Sequence, residues 1–390
     1  MSKKGQRFEF TAFRWTTKFL LYCIGLWPVK APGLFYRSLP YICFFASFFA
    51  GLAVIRFIYH YITRVAVSLR GMTIGTSLML SMLKISSIMI NRKRGLELHR
   101  TLDEYFSAAL SDERFAQRVL VGITTVRRLC WTLIPTIFIT VGGYVLKPIT
   151  SIVVQKRNNV EHVEYTLIYP GLYPWNVSDG FFYQLHFFIE IIASITVWCV
   201  TCGMDALFAY YVFQIIGQLR VMSYRLTHVE DQKDMDVIIK ECTQQYVELL
   251  KCRDSLQDIF GPVILWMMGT TAIVLCALIY QLSSQLKDLS IARWIWILAY
   301  FIPKVTQAYI YGWCGSYLNS ESEKYRSAIY HTNWLAAKKN TMSSIVIMLS
   351  QRPINLVVYK FFYLTVNMFL MILKTTLSYY FLLKHIEQKS

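Results

Sequence analysis

The chain has 390 residues, 55% of them hydrophobic and 16% charged, with a formal net charge of +17. Such a composition is too apolar and too poor in charge for an ordinary soluble domain and points to a membrane protein. The basic residues sit in loops between apolar stretches, where membrane proteins carry them, so a nucleic-acid partner is not expected.

The chain opens with a basic arm over residues 1–38, expected to be cytoplasmic. Its apolar run is short, ends in Trp27-Pro28 and is followed by no small-residue cleavage site, so no cleavable signal peptide is expected. A crossing helix needs about 20 mostly apolar residues to span about 30 Å of hydrocarbon. Seven segments qualify, near 39–62, 65–90, 130–150, 182–215, 260–283, 291–315 and 354–383. The predicted architecture is therefore an all-α membrane protein, one domain over 1–390 with seven transmembrane helices, the last over 354–385.

Between the third and fourth spans, EHVEYTLIYPGLYPWNVSDGFFY (161–183) is rich in Pro, Gly and aromatics, as in a folded external loop able to lid a cavity. It carries the sequon Asn176-Val177-Ser178, which makes Asn176 a candidate glycosylation site. Between the fourth and fifth spans, Val237, Ile238, Cys242, Tyr246, Leu249, Leu250, Leu256 and Phe260 recur at helical spacing, which predicts helices continuing below the bilayer as a packed bundle.

Lys and Arg set the orientation. The arm, 91–130, 217–258 and 317–353 hold roughly two dozen and the other loops and tail under a dozen, so the first set is expected inside. The N-terminus is then cytoplasmic and the C-terminus extracellular, the reverse of a G-protein-coupled receptor. None of the nine cysteines falls in an expected external loop, and Cys199 and Cys202, one turn apart in an apolar helix, read as buried thiols rather than a metal or redox pair. The seven histidines are scattered singly and no nucleophile–base constellation appears, so no enzyme activity, cofactor or metal is expected.

Ionisable residues at membrane depth are Lys84, Glu190, Asp205, Lys304, Lys360 and Lys374. Lys84, Asp205, Lys304 and Lys360 read as structural charges near cytoplasmic ends. Glu190, about two turns below the outer end of helix four, stands open between ligand contact and structural pairing. Lys374 belongs to a stripe on the last helix: Asn367, Met371, Lys374, Thr375, Ser378, Leu382 and His385 share one face, with Phe369, Leu370, Leu373, Tyr380 and Leu383 opposite. That stripe suits a water-filled path shared among several copies, or equally a hydrogen-bonded helix interface.

The residues resemble the insect odorant receptor family from end to end. Gly25-Leu26-Trp27-Pro28 looks like its G-x-W-P turn; 307–334, with Gly315, Glu321-Ser322, Ala328-Ile329-Tyr330 and Trp334, is similar to its sixth-helix ending; and 350–383, with Gln351-Arg352-Pro353, Lys360-Phe361, Phe369 and Ser378-Tyr379, resembles its C-terminal signature. Tyr246 departs from the histidine that often follows the cysteine at Cys242. His385-Ile386 after Ser378-Tyr379 favours the odorant branch over the gustatory one, and the short loop between helices four and five suits a tuning subunit rather than the co-receptor.

The resemblance implies a multi-pass plasma-membrane protein of sensory-neuron dendrites: a tetrameric, ligand-gated cation channel formed with the odorant co-receptor. Its last helix would line the pore through Thr375, Ser378, Leu382, His385 and Ile386, with Leu382 as gate. An anchor in 317–353 would use Trp334, Ile345, Met348, Leu349 and the Gln351-Arg352-Pro353 turn. A volatile, mostly apolar odorant would lie among Met72, Thr76, Met79, Leu80, Ile137, Val141, Tyr144, Phe187, Glu190, Ile191, Ser194, Thr270, Trp296 and Tyr300. A gustatory-type homomeric channel and a G-protein-coupled receptor are the rival readings.

Overall fold

A computed structural model describes residues 3–159, 163–175, 180–228, 232–284, 291–332, 339–351, 353–359 and 362–389. Asn176, Trp334, Arg352, Lys360 and Phe361 lie outside the described residues, as do the side chains of Trp296, Leu383 and Ile386. The described elements are α1 (Lys3–Cys23), α2 (Leu34–His60), α3 (Val65–Ile90), α4 (Arg92–Ser111), α5 (Glu113–Val119), α6 (Ile123–Arg157), α7 (Gly180–Thr227), α8 (Gln232–Ser284), α9 (Ile291–Tyr330), α10 (Lys339–Ser350), β1 (Val357–Val358), β2 (Phe362–Tyr363) and α11 (Val366–Lys389).

The arm α1 is amphipathic and lays Phe10, Phe13, Leu20 and Leu21 against the bundle, where all four are buried. It stops at Gly25, whose φ of +74° is left-handed. The Gly25 amide donates to Tyr22 O at 3.1 Å and the Leu26 amide to Leu21 O at 2.9 Å, a Schellman stop. A Cβ at Gly25 would also lie 2.8 Å from Pro40 Cδ, so the G-x-W-P turn needs its glycine both for conformation and for close approach to α2.

The centre of the fold is α7. Every residue from Cys202 to Leu219 is buried, the polar Asp205, Gln214 and Gln218 among them, so this part of the helix is enclosed by its neighbours on all sides. α1, α2, α3, α4, α5, α6, α8 and α9 all pack against it. At 48 residues α7 is about 72 Å long, far more than a bilayer needs. With the 53-residue α8 and the 40-residue α9 it builds a second layer of helix beyond the apolar zone. The periodic stretch 237–260 forms part of α8.

Among the described residues, five helices are long and apolar enough to cross a membrane: α2, Val67–Ile90 of α3, α6, α7 and Met235–Ile279 of α8. α9 and α11 occupy the other two expected spans. The last differs from expectation. Residues 354–359 and 362–365 are not helical; Val357 pairs with Tyr363 and Val358 with Phe362 in an antiparallel hairpin, with Tyr359 at φ +49°. A short apolar run such as INLVVYKFFY has no period that separates strand from helix, and its β-branched and aromatic residues favour the strand. α11 therefore starts at Val366, whose amide donates to Ser316 Oγ at 2.9 Å.

That hairpin is held by the ending of α9. The Ser322 hydroxyl accepts from the Ile354 amide at 2.7 Å, and Glu321 accepts from Arg220 of α7 at 3.0 Å and from Lys324 at 2.9 Å. Burial works against the Glu321 carboxylate, but hydrogen bonds and charge from Arg220 and Lys324 outweigh it and hold its pKa below the ordinary glutamate value. Glu321-Ser322 thus joins α7, α9 and the hairpin at one point.

Candidate ligand pocket and pore helix

α3, α6, α7 and α9 line a cavity that opens outward through a mouth. Ile74, Leu78, Leu80, Ile137, Val141, Val197 and Pro303 supply its apolar wall; Ser77, Thr140, Tyr144, Tyr169, Thr201, Tyr300, Lys304 and Gln307 supply its polar atoms. Most of that polarity is already spent. The Tyr300 hydroxyl shares a 2.6 Å hydrogen bond with Ser77 and donates to Thr73 O at 2.6 Å. Thr140 donates to the carbonyls of Thr136 and Ala299, at 2.8 and 2.7 Å, and Tyr169 pairs with Ser194 at 2.9 Å. With these four hydroxyls internally satisfied, the cavity presents mainly carbon to its contents, apart from Thr201 and Lys304.

Each wall follows a helical stripe. On α6, Ile137, Thr140, Val141 and Tyr144 stand at i, i+3, i+4 and i+7; on α9, Tyr300, Pro303, Lys304 and Gln307 do the same. Of the expected pocket residues, Leu80, Ile137, Val141, Tyr144 and Tyr300 line the cavity, and Ser194 stands behind Tyr169. Met72, Thr76, Met79, Phe187, Glu190, Ile191 and Thr270 do not line it. On α3 the lining residues are Ile74, Ser77, Leu78 and Leu80, and Met72, Thr76 and Met79 stand off that face: Met79 is 38% exposed and Thr76 bonds its own helix at Thr73 O. Phe187 and Ile191 pack in the neighbouring cluster around Ile168 and Tyr169. Thr270 bonds its own helix at Trp266 O, and no described α8 residue reaches the cavity.

Glu190 is fully buried but holds the loop rather than the cavity. Its carboxylate accepts from the amides of Ile168 and Tyr169, at 2.7 and 3.2 Å, and from the Tyr173 hydroxyl at 3.1 Å. The loop in turn donates Leu172 N to Ala53 O at 3.1 Å and places Tyr169 in the cavity wall. Over residues 163–175 the proline- and aromatic-rich stretch thus supplies Tyr169 to the cavity wall, and Glu190 is the post it hangs from.

Deeper in the bundle, Lys84 Nζ and Asp205 Oδ1 form an ion pair at 2.6 Å with both side chains 0% exposed. Gln307 donates to Asp205 Oδ2 and the Tyr311 hydroxyl to Oδ1, each at 2.6 Å. This network ties α3, α7 and α9 together at the floor of the cavity, through Gln307.

α11 turns a narrow face to its own bundle. Met368, Ile372 and Thr376 are buried, with Ile372 beside Ala272 of α8 and Ala308 of α9. Its expected polar stripe faces away: Asn367, Met371, Lys374, Ser378, Leu382 and His385 are exposed, Leu382 at 56%, and Thr375 is half-buried. The hydroxyls of Thr375 and Ser378 bond back to Met371 O and Lys374 O, at 2.9 and 3.1 Å, the usual way such groups are satisfied on a helix.

Comparison with known proteins agrees with this architecture. The 7tm Odorant receptor family model matches residues 64–377. Odorant receptor 82a of Drosophila melanogaster is 24% identical over 319 residues, covering 79% of this chain and 82% of that protein. Odorant receptor 22c of the same species is 24% identical over 388 residues, with 93% and 94% coverage. The olfactory receptor OR5 of Machilis hrabei in complex with eugenol superposes with a TM-score of 0.79 at 14% identity, covering 97% of this chain and 100% of that one, and without eugenol with 0.75. The structural likeness speaks for fold, the family match for kinship. This chain, a multi-pass membrane receptor of olfaction and not an enzyme, belongs to the insect odorant receptor family.

Proposed function

We propose that the chain is the odorant-specific subunit of a ligand-gated cation channel, working with the odorant co-receptor in the plasma membrane, N-terminus inside and C-terminus outside. The observation that carries the reading is the carbon-lined cavity roofed by Tyr169 and floored by Gln307. Burying a small apolar ligand there gains about 25 cal/mol per Å² removed from water. The relative solved with eugenol holds a molecule of that kind.

The link from pocket to pore is α9. Its outer part forms a cavity wall, and further along the same helix a Cβ at Gly312 would lie 2.8 Å from Thr365 O, at the start of α11. A ligand that prefers one position of α9 therefore biases where α11 starts, and it acts only through that difference in affinity. Filling the cavity by Ile137→Trp is expected to weaken odorant-evoked currents at least about tenfold in half-maximal concentration, equivalent to about 1.4 kcal/mol, with surface expression retained. An unchanged dose–response curve would refute the pocket.

The exposed stripe on α11 supports a pore lined by several copies, with Leu382 as a hydrophobic constriction that gates by dewetting. Leu382→Ser is expected to raise ligand-free current several-fold when co-expressed with the co-receptor, and a tag after Ser390 should stain without permeabilisation. Wild-type basal current at normal surface density argues against the gate, and a tag reached only from inside argues against the orientation.

A further inference from the structure

Resting on the pocket reading, we propose a ligand class: an apolar body ending in a hydrogen-bond-accepting oxygen, carbonyl or carboxylate, which accepts from the ammonium of Lys304. Lys304 stands in the α9 wall between Tyr300 and Gln307, half-buried because it opens onto the cavity. Among the described residues it makes no hydrogen bond and no ion pair. The nearby carboxylate does not serve it: Asp205 Oδ1 already accepts from Lys84 and Tyr311, and Oδ2 from Gln307. Two cations, Lys84 and Lys304, thus share the field of one anion.

The consequence is chemical selectivity. In the unfilled cavity water can solvate the Lys304 ammonium. A hydrocarbon ligand displaces that water and leaves a bare cation in a low-dielectric wall, which is strongly disfavoured. A ligand oxygen replaces the water and keeps the apolar gain, because a displaced water costs affinity only when its hydrogen bonds are not reproduced. Sites built around an unsatisfied polar group reject analogues lacking the matching atom far better than they distinguish carbon skeletons. Thr201, the other lining residue whose polar atom has no hydrogen bond among the described residues, offers a second donor within the same cavity.

The test is binding by the full chain with its co-receptor in lipid nanodiscs, read by thermal shift against octanal, 2-octanone, octanoate and octane. The three oxygenated probes are expected to bind at least tenfold more tightly than octane. Lys304→Met should erase that difference while keeping or improving octane binding, which also reports that the variant is folded. Lys304→Gln keeps a donor without the charge and should retain the carbonyl probes while losing octanoate. Octane binding as tightly as the oxygenated probes, no binding by any probe, or an undiminished preference in Lys304→Met overturns the proposal. Should Ile137→Trp leave all four probes unaffected, it is the cavity as binding site that fails.

Discussion

Replacing Asp205 by alanine is expected to cost about 3–5 kcal/mol of stability, the usual penalty when one partner of a buried ion pair is removed. The two side chains are 0% exposed and 2.6 Å apart. Losing the carboxylate leaves the Lys84 ammonium bare, takes the acceptor from Gln307 and Tyr311, and leaves Lys84 and Lys304 with no anion between them. Three helices lose their common tie. The measurement is thermal unfolding in detergent with surface expression alongside; wild-type stability for Asp205→Ala would show that the pair does not hold the bundle. The double variant Lys84→Met/Asp205→Leu removes both charges and should recover much of the loss, since an apolar pair of similar volume often replaces a buried salt bridge without cost. The gap between single and double variants measures the coupling directly.

Why this pair was invisible in the sequence illustrates what a single chain does and does not disclose. Lys84 and Asp205 each stand out as charges in apolar segments, and reading them as structural was sound, but their partnership joins positions 121 residues apart and depends on α7 standing at the centre. Depth along a helix is legible from hydropathy; azimuth is legible only when a stripe is clear. The α6 wall was such a case, with Ile137, Val141 and Tyr144 on one face, and there the expected and observed residues coincide except for Thr140. On α3 nearly every position is apolar or small, so no stripe sets the phase, and Met72, Thr76 and Met79 stand off the face of Ile74 and Leu78. On α9 Tyr300 stands on the lining stripe that Pro303, Lys304 and Gln307 complete at helical spacing, whereas a lysine near a helix end reads first as a snorkelling charge and so does not mark that stripe in the sequence.

The same contrast applies to the fold. Long apolar runs announce the crossing helices, whereas the hairpin before α11 reads as the start of a helix because eight apolar or aromatic residues in ten carry no usable period. The family-like residues around it had no evident purpose in isolation. In the folded chain four of them have one: Gly25 a left-handed stop, Glu321 and Ser322 a three-way joint, Gly315 a point of backbone contact.

Gly315 should be the most sensitive of these to substitution. A Cβ there would lie 2.8 Å from the Leu364 carbonyl carbon and nearer still to its oxygen. The obstacle is backbone, which cannot turn aside as a side chain can, and Gly312 one turn earlier meets Thr365 O in the same manner. Gly315→Ala must therefore push the hairpin off α9, with overpacking costs of about 1–3 kcal/mol and a displaced start for α11. Because the cavity lies elsewhere on α9, ligand binding should persist while maximal evoked current falls at least about tenfold, a separation of affinity from efficacy that a pocket defect cannot mimic. Gly269→Ala on α8, where a Cβ would meet nothing within 4 Å, provides the matched control and should behave as wild type. Full currents from Gly315→Ala would mean that α9 does not transmit the state of the pocket to α11, and another helix, α8 first because it also packs on α11, would have to carry the signal.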